Sequence, residues 1–270
     1  MGKFDGILIC TDLDHTLLTD DKSISDENKR AVEYFMSEGG LFTFATGRSK
    51  PGIEFLFNRI TPNAPIILFN GAEIYDIKKD EVLWETFLDD GAKNVLEMVE
   101  RKYPFAGIEV CAENNIYVSR DNKLVHRQLS FEKLEGKYRD FRDIDEHLRK
   151  TLFVGDKDKM PELREGLKNS EFSKRYNFVK SDPCYYELLP PDASKGYAMN
   201  RLAQMLGVDK TVGIGDDEND VAMIKEAKIG VAVANAVPMV LDAADFISTD
   251  NNSHAISTVI YGIDKGIMEF

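Results

Sequence analysis

Short apolar runs punctuate the first part of the chain, and each is followed by polar residues and then by an amphipathic stretch. "GILIC" (6–10), "LFTFA" (41–45) and "PIILF" (65–69) are continuous rather than alternating. That is the pattern of strands buried on both faces. Between the first two, Ala31, Val32, Phe35 and Met36 recur at helical spacing, and Gly39-Gly40 offer a C-terminal stop. Between the second and third, Ser49 and Pro51 suit a helix start, and Ile53, Leu56, Phe57 and Ile60 predict its buried face. Strands separated by helices imply a parallel sheet with helices on both faces.

The texture changes after about residue 72. "AEIYD" and "VLWETF" read as two short strands around the charged turn "IKKDE". The stretch that follows mixes an amphipathic helix (Val95, Leu96, Val99), a hairpin around "AENN" and a charged helix near "DKMPELREGLKN". After "ELLPPDASKG" the strand–helix rhythm returns. "YAMNRLAQMLG", "ENDVAMIKEAK", "VPMVLDAA" and "SHAISTVIYGI" read as helices, and "TVGIG", "IGVAVA" and "DFIST" as strands. The expected architecture is α/β: a Rossmann-like parallel sheet core with helices on both faces, interrupted by an inserted α/β domain. The core spans 1–81 and 188–270, and the insertion spans 82–187.

Composition narrows the partners. A net charge of -13 argues against a nucleic-acid backbone and gives no help toward an anionic membrane. No apolar stretch approaches the roughly 20 residues that span a bilayer. The N-terminal segment carries Asp5 and does not read as a signal peptide. Three scattered cysteines, Cys10, Cys111 and Cys184, form no paired motif and suit a reducing, cytoplasmic setting.

The chemistry gathers where the apolar strands end. Asp12 and Asp14 follow the first strand, Thr46-Gly47 the second, Asn70-Gly71 the third, and Asp216-Asp217 follow "TVGIG". In open α/β sheets, ligands bind beyond the carboxyl ends of the strands. Asp12 and Asp14 share a face if the extended conformation continues, and would repel unless one is protonated or a cation intervenes. Asp216 supplies a third carboxylate, and such oxygen ligands suit Mg²⁺. An Asp-rich turn or helix cap is the plainer alternative. Lys195, at an expected helix start, opposes the helix dipole unless it faces an anion; otherwise it is a surface lysine. Thr46 and the N–H groups around Gly47 suit a phosphoryl group, or an ordinary strand-to-helix turn. Asn219 and Asp220 either orient ligands or cap the next helix.

Taken together, "DLDHTLL", "ATGR", "ASKG" and "GDDENDVAM" resemble, in order and spacing, the four motifs of the haloacid dehalogenase superfamily of phosphatases. The insertion between the second and third motifs, with "FNGA" and "VANA", is similar to the Cof-type group, subclass IIB. The resemblance implies an α/β cap domain and a Mg²⁺-dependent phosphatase acting on a small phosphorylated metabolite, sugar phosphates foremost. It implies Asp12 as nucleophile, forming an aspartyl phosphate, and Asp14 as general acid and base. It implies Thr46, Gly47, Lys195 and Asn219 as phosphoryl-binding residues. The metal would be held by Asp12, the backbone carbonyl of Asp14, and Asp216, with Asp220 behind them. A phosphotransferase or mutase with the same intermediate, or a catalytically silent sensor, would use the same residues. A Ca²⁺ loop starting at Asp12 fails its rule, because Leu17 stands where Gly is needed and Ser23 where Glu is needed.

His15 stands where the family usually has Gly. It reads either as a functional side chain or as an exposed residue at a position that does not require positive φ. The sequence singles out neither oligomeric state nor the residues that set substrate specificity.

Overall fold

The computed structural model describes residues 2–270. The chain divides into two compact units. The larger holds residues 2–47, Glu54–Trp84 and Ser194–Phe270; the smaller holds Arg48–Ile53 and Glu85–Ala193. The insertion therefore begins and ends a few residues later than the 82–187 span expected from texture, and it takes a short second piece of chain. Among the described residues, no helix is long and apolar enough to cross a membrane.

The larger unit opens with β1 (Ile7–Thr11), α1 (Asp26–Ser37), β2 (Leu41–Phe44), β3 (Ile66–Leu68) and β4 (Glu73–Asp76), and β5 (Glu81–Glu85) leads out of it. α1 starts where Ser25 accepts the Asn28 N–H. The helix expected from Pro51 is absent: the segment forms turns and one short 3₁₀ turn at Glu54–Leu56. Ile53, Leu56 and Ile60 are nevertheless buried. Pro51-Gly52 at the start and Thr61-Pro62 at the end leave too little good helix-forming sequence for propagation.

The smaller unit runs α2 (Ala92–Lys102), β6 (Gly107–Ala112), β7 (Ile116–Arg120), α3 (Lys123–Glu132), β8 (Gly136–Tyr138), β9 (Leu148–Val154), α4 (Met160–Lys168), β10 (Asn177–Asp182) and β11 (Tyr185–Leu189). Its sheet order is β10-β11-β9-β6-β7-β8. α2 and α4 pack with the sheet in one apolar cluster that includes Val95, Ile108, Val110 and Leu163. Val125 and Leu129 of α3 join a second cluster with Val118, Leu152 and Val154. Pairing sets Glu109, Leu152 and Glu187 side by side, with Cys111 opposite Lys150. Lys150 and Glu187 form a buried ion pair at 2.8 Å.

The chain returns as α5 (Lys195–Leu206), β12 (Lys210–Gly215), α6 (Val221–Glu226), β13 (Ile229–Ala232), α7 (Pro238–Leu241), β14 (Phe246–Ile247) and α8 (Ala255–Asp264). The core sheet has the order β14-β13-β12-β1-β2 and is parallel throughout. A parallel bridge from Ala45 to Ile67 continues it into the antiparallel β3–β4 pair. Leu8 and Cys10 of β1 share an apolar cluster with Met199 and Leu202 of α5 and Met223 of α6. α1 and α8 pack against each other.

Register then aligns the strand ends. Thr11 lies opposite both Phe44 and Ile214, so the residues after β1, β2 and β12 emerge side by side. The Asp12 N–H donates to Ile214 O at 2.8 Å, and the Thr46 N–H to Ile67 O at 2.9 Å. Gly71, at φ +94°, passes so close to Ser194 O that a Cβ would come within 2.1 Å of it. That approach joins the end of β3 to the start of α5.

Beyond β1 the backbone turns sharply, and His15 adopts φ 58°, ψ 12°. The expectation that this position does not require positive φ is corrected: the bend is left-handed, and histidine is among the side chains that tolerate it. The His15 carbonyl accepts from Asn235 Nδ2 at 2.8 Å, and the half-exposed ring has Nδ1 3.7 Å from Asp20. His15→Gly is expected to unfold in urea within about 1 kcal/mol of the parent, because glycine suits this φ. His15→Val should lose about 1–2 kcal/mol, since a β-branched residue is strained there. A valine variant as stable as the parent would remove the backbone argument.

Candidate active site

Asp12 leaves β1 in extended conformation (φ -65°, ψ 164°) and is 7% exposed. Lys195 is the first residue of α5, where Ser194 caps the helix by accepting the Tyr197 N–H. Its side chain is fully buried, which sets aside the surface-lysine alternative. Its ammonium donates to Asp12 Oδ1 at 2.6 Å and to Asp220 Oδ1 at 2.7 Å. Asp220 is itself anchored: its Oδ2 accepts the N–H groups of Asp216 and Asp217 at 2.9 and 3.2 Å. The lysine is thus held by a carboxylate that the backbone fixes, and it in turn fixes Asp12.

Asp216 completes the cluster. One carboxylate oxygen from each of Asp12, Asp216 and Asp220 lies within 4.8 Å of the others. Thr16 Oγ1 donates to Asp216 Oδ1 at 2.8 Å. Burial pushes the Asp12 carboxyl above its ordinary range; Lys195 opposes this, while Asp220 and Asp14 reinforce it. Burial likewise raises Asp216, helped by the charges of Asp12 and Asp220 and opposed by the Thr16 hydrogen bond. Burial works against the charged form of Lys195, but Asp12 and Asp220 outweigh it and hold the ammonium above the usual lysine range. At 4 Å and an effective dielectric constant near 20, two carboxylates repel by about 4 kcal/mol. One lysine among three carboxylates leaves negative charge to be balanced.

Asp14 is set apart from the trio. Its side chain is about one-third exposed and accepts from Lys22 Nζ at 3.1 Å. Thr46 and Gly47 follow β2, and Thr46 is buried. The Asn70 N–H donates to Thr46 O at 2.9 Å. Asn219 stands in the turn before α6 and donates Nδ2 to Asn70 Oδ1 at 3.0 Å. The structure therefore gathers Asp12, Lys195, Asp216 and Asp220 into one bonded cluster. Thr46, Gly47 and Asn219 sit around Asn70 at neighbouring strand ends.

Two contributors carry no role in the sequence reading. Thr16 lies four residues beyond Asp12, one turn further on, and only the structure shows it bonded to Asp216. Asn70 was visible as a polar residue at a strand end, but its bonds to Thr46 and Asn219 join segments far apart in sequence.

Comparison with known proteins identifies the family. The model of the haloacid dehalogenase-like hydrolases matches residues 9–260. YxeH of Bacillus subtilis (strain 168) is 31% identical over 267 residues, covering 94% of this chain and 97% of that protein. The 5-amino-6-(5-phospho-D-ribitylamino)uracil phosphatase YcsE of the same organism is 27% identical, covering 94% of each chain. A haloacid dehalogenase-like hydrolase from Bacteroides thetaiotaomicron superposes with a TM-score of 0.79 at 28% identity, covering 96% of this chain and 99% of that one. With its parallel sheet, its aligned strand ends and a family match that runs almost end to end, the chain belongs to the haloacid dehalogenase-like hydrolases.

Proposed function

We propose that this chain is a Mg²⁺-dependent phosphomonoesterase that works through an aspartyl phosphate on Asp12. Its substrates are small phosphorylated metabolites, sugar phosphates foremost. The observation that carries the reading is the buried Asp12 carboxylate, 2.6 Å from Lys195 and grouped with Asp216 and Asp220. The name of YcsE, a relative that acts on a phosphorylated ribityl compound, supports a small polyol phosphate as the substrate class. The net charge of -13 disfavours nucleic acid. Three free cysteines fit a reducing cytoplasm.

The donor set fits a hard divalent cation. It offers carboxylate oxygens only, and their crowding disfavours full ionisation without a counter-charge. Asp220 already accepts from Lys195 and two N–H groups, so of the three carboxylates Asp12 and Asp216 would hold the metal, and the family resemblance adds the main-chain carbonyl of Asp14. When bound, Mg²⁺ would neutralise charge on the phosphoryl oxygens.

Asp12 attacks phosphorus, and the bond from phosphorus to the leaving oxygen breaks as Asp14 donates its proton to that oxygen. Asp14 then takes a proton from water. The water oxygen attacks phosphorus, freeing Asp12 and inorganic phosphate. Lys195 orients Asp12 and, with Thr46 and Gly47, holds the phosphoryl oxygens; positioning of this kind dominates phosphoryl transfer. Asn219 borders the same place, its amide engaged by Asn70.

Purified protein is expected to release phosphate from an aryl phosphate with Mg²⁺ and to stop in EDTA. Asp12→Asn should lower turnover by about 10³-fold or more; parent-level turnover in that variant would end the nucleophile assignment. Asp14→Asn should cost about 10²–10⁴-fold with alkyl phosphates, whose leaving oxygen needs a proton, and far less with nitrophenyl phosphate. Equal losses on both would refute the acid role.

A further inference from the structure

Lys22 has a left-handed backbone, at φ 62°, which a long side chain rarely adopts. Strain of this kind persists only where the surroundings impose it, and it points to a function. The surroundings here are specific. In the turn from Thr19 to Ser23, the Lys22 N–H donates to Thr19 O at 2.8 Å and the Thr19 N–H to Ser23 O at 3.0 Å. The Ser23 N–H donates to Thr19 Oγ1 at 3.2 Å. The loop between β14 and α8 braces the same turn. Asn251 Nδ2 donates to Leu18 O and to Asp20 Oδ1, each at 3.0 Å, and the Asp20 N–H donates to Asn252 Oδ1 at 3.1 Å. The braced turn brings Lys22 Nζ back to Asp14 Oδ1 at 3.1 Å, with each side chain about one-third exposed. An ion pair this exposed adds little to stability, so the pair does not by itself account for the strained turn.

We infer that Lys22 is a positioning residue for Asp14: its ammonium holds Oδ1 and so aims Oδ2 at the leaving oxygen of the substrate. The inference rests on the phosphatase reading above and adds a residue to it. Asp12 and Asp14 are two residues apart, yet they answer to different cations. Lys195 donates to Asp12 and Asp220 in the interior. Lys22 donates to Asp14 where solvent reaches. The acid is thereby drawn away from the buried carboxylates. The hydrogen bond suits both states of the acid, because a carboxylate oxygen and the C=O of a carboxyl group each accept from an ammonium. The proton on Oδ2 passes to the leaving oxygen as that oxygen parts from phosphorus, and Oδ2 later receives a proton from the attacking water. Rate depends steeply on such aim, since about 1 Å of misplacement can cost about 10²-fold.

The test is kcat/KM of the full chain with Mg²⁺ on two substrates: an alkyl phosphate, whose leaving oxygen needs a proton, and nitrophenyl phosphate, whose leaving oxygen does not. This constant reports the steps up to release of the alcohol. Lys22→Met keeps the aliphatic stem without the ammonium, and Lys22→Gly removes the side chain at a φ that suits glycine. Both are expected to lose about 10- to 100-fold on the alkyl phosphate and far less on nitrophenyl phosphate. Circular dichroism in urea should show Lys22→Gly folded at least as firmly as Lys22→Met, so that strain and rate separate. Lys22→Gly added to Asp14→Asn should cost little further, because the lysine acts through that carboxyl. A ratio between the two substrates that stays at the parent's value in both lysine variants would overturn the inference and leave the phosphatase reading intact. Fully additive losses in the double variant would overturn it as well. A parent protein that hydrolyses neither substrate would overturn both readings.

Discussion

One ammonium group organises the larger unit's functional end. Lys195 enters the interior at the first turn of α5, where the helix dipole disfavours it, and stays there because Asp12 and Asp220 receive it at 2.6 and 2.7 Å. Removing one partner of such a buried pair leaves an uncompensated charge and costs about 3–5 kcal/mol. The pair therefore fixes the start of α5 relative to the end of β1. Asp220 ties the same ammonium to the backbone of Asp216 and Asp217, which brings the end of β12 into the arrangement. Once these three are set, Asp216 has no position far from Asp12.

The sheet explains why the cluster can exist. Thr11 pairs with Phe44 on one side and Ile214 on the other, so three strands end level and deliver Asp12, Thr46 and Asp216 to neighbouring places. The price in electrostatics is a set of carboxylates driven toward their neutral forms by burial and by each other. A local defect in charge balance of this kind, within an otherwise well-packed parallel sheet, supports the proposed role of the cluster as a cation and phosphoryl site.

Much of this was legible in the sequence. Buried parallel strands are continuous apolar runs, and a polar residue directly after one is easy to see; hence the positions of Asp12, Thr46 and Asp216. Lys195 was conspicuous because its charge opposed its helix. Other features were hidden for physical reasons. The segment after Pro51 has helical spacing of apolar residues, yet it buries Ile53, Leu56 and Ile60 from a chain of turns. β9 is buried along its whole length but contains Arg149 and Lys150, whose charges are met by Glu85 and Glu187. No local pattern announces a strand whose charges are paired by distant residues. Asn70 was visible only as a residue type; its bonds to Thr46 and Asn219 are a property of three dimensions. His15 changed most in meaning: its backbone is left-handed, a demand that glycine and histidine both meet and that no local pattern announced.

The central claim is that the carboxylates of this cluster are crowded for the sake of a cation. Thermal unfolding of Asp216→Asn beside the parent, at pH 8, with EDTA and then with Mg²⁺, tests it most directly. A carboxyl whose native pKa is raised binds its proton more tightly when folded, so it loses stability as pH rises above its ordinary range. In EDTA the variant should unfold at a higher temperature than the parent, by about 2–4 °C for each kcal/mol of relieved repulsion. Mg²⁺ should raise the midpoint of the parent and leave that of the variant nearly unmoved. A variant that unfolds below the parent in EDTA, or that gains as much from Mg²⁺, would contradict the account.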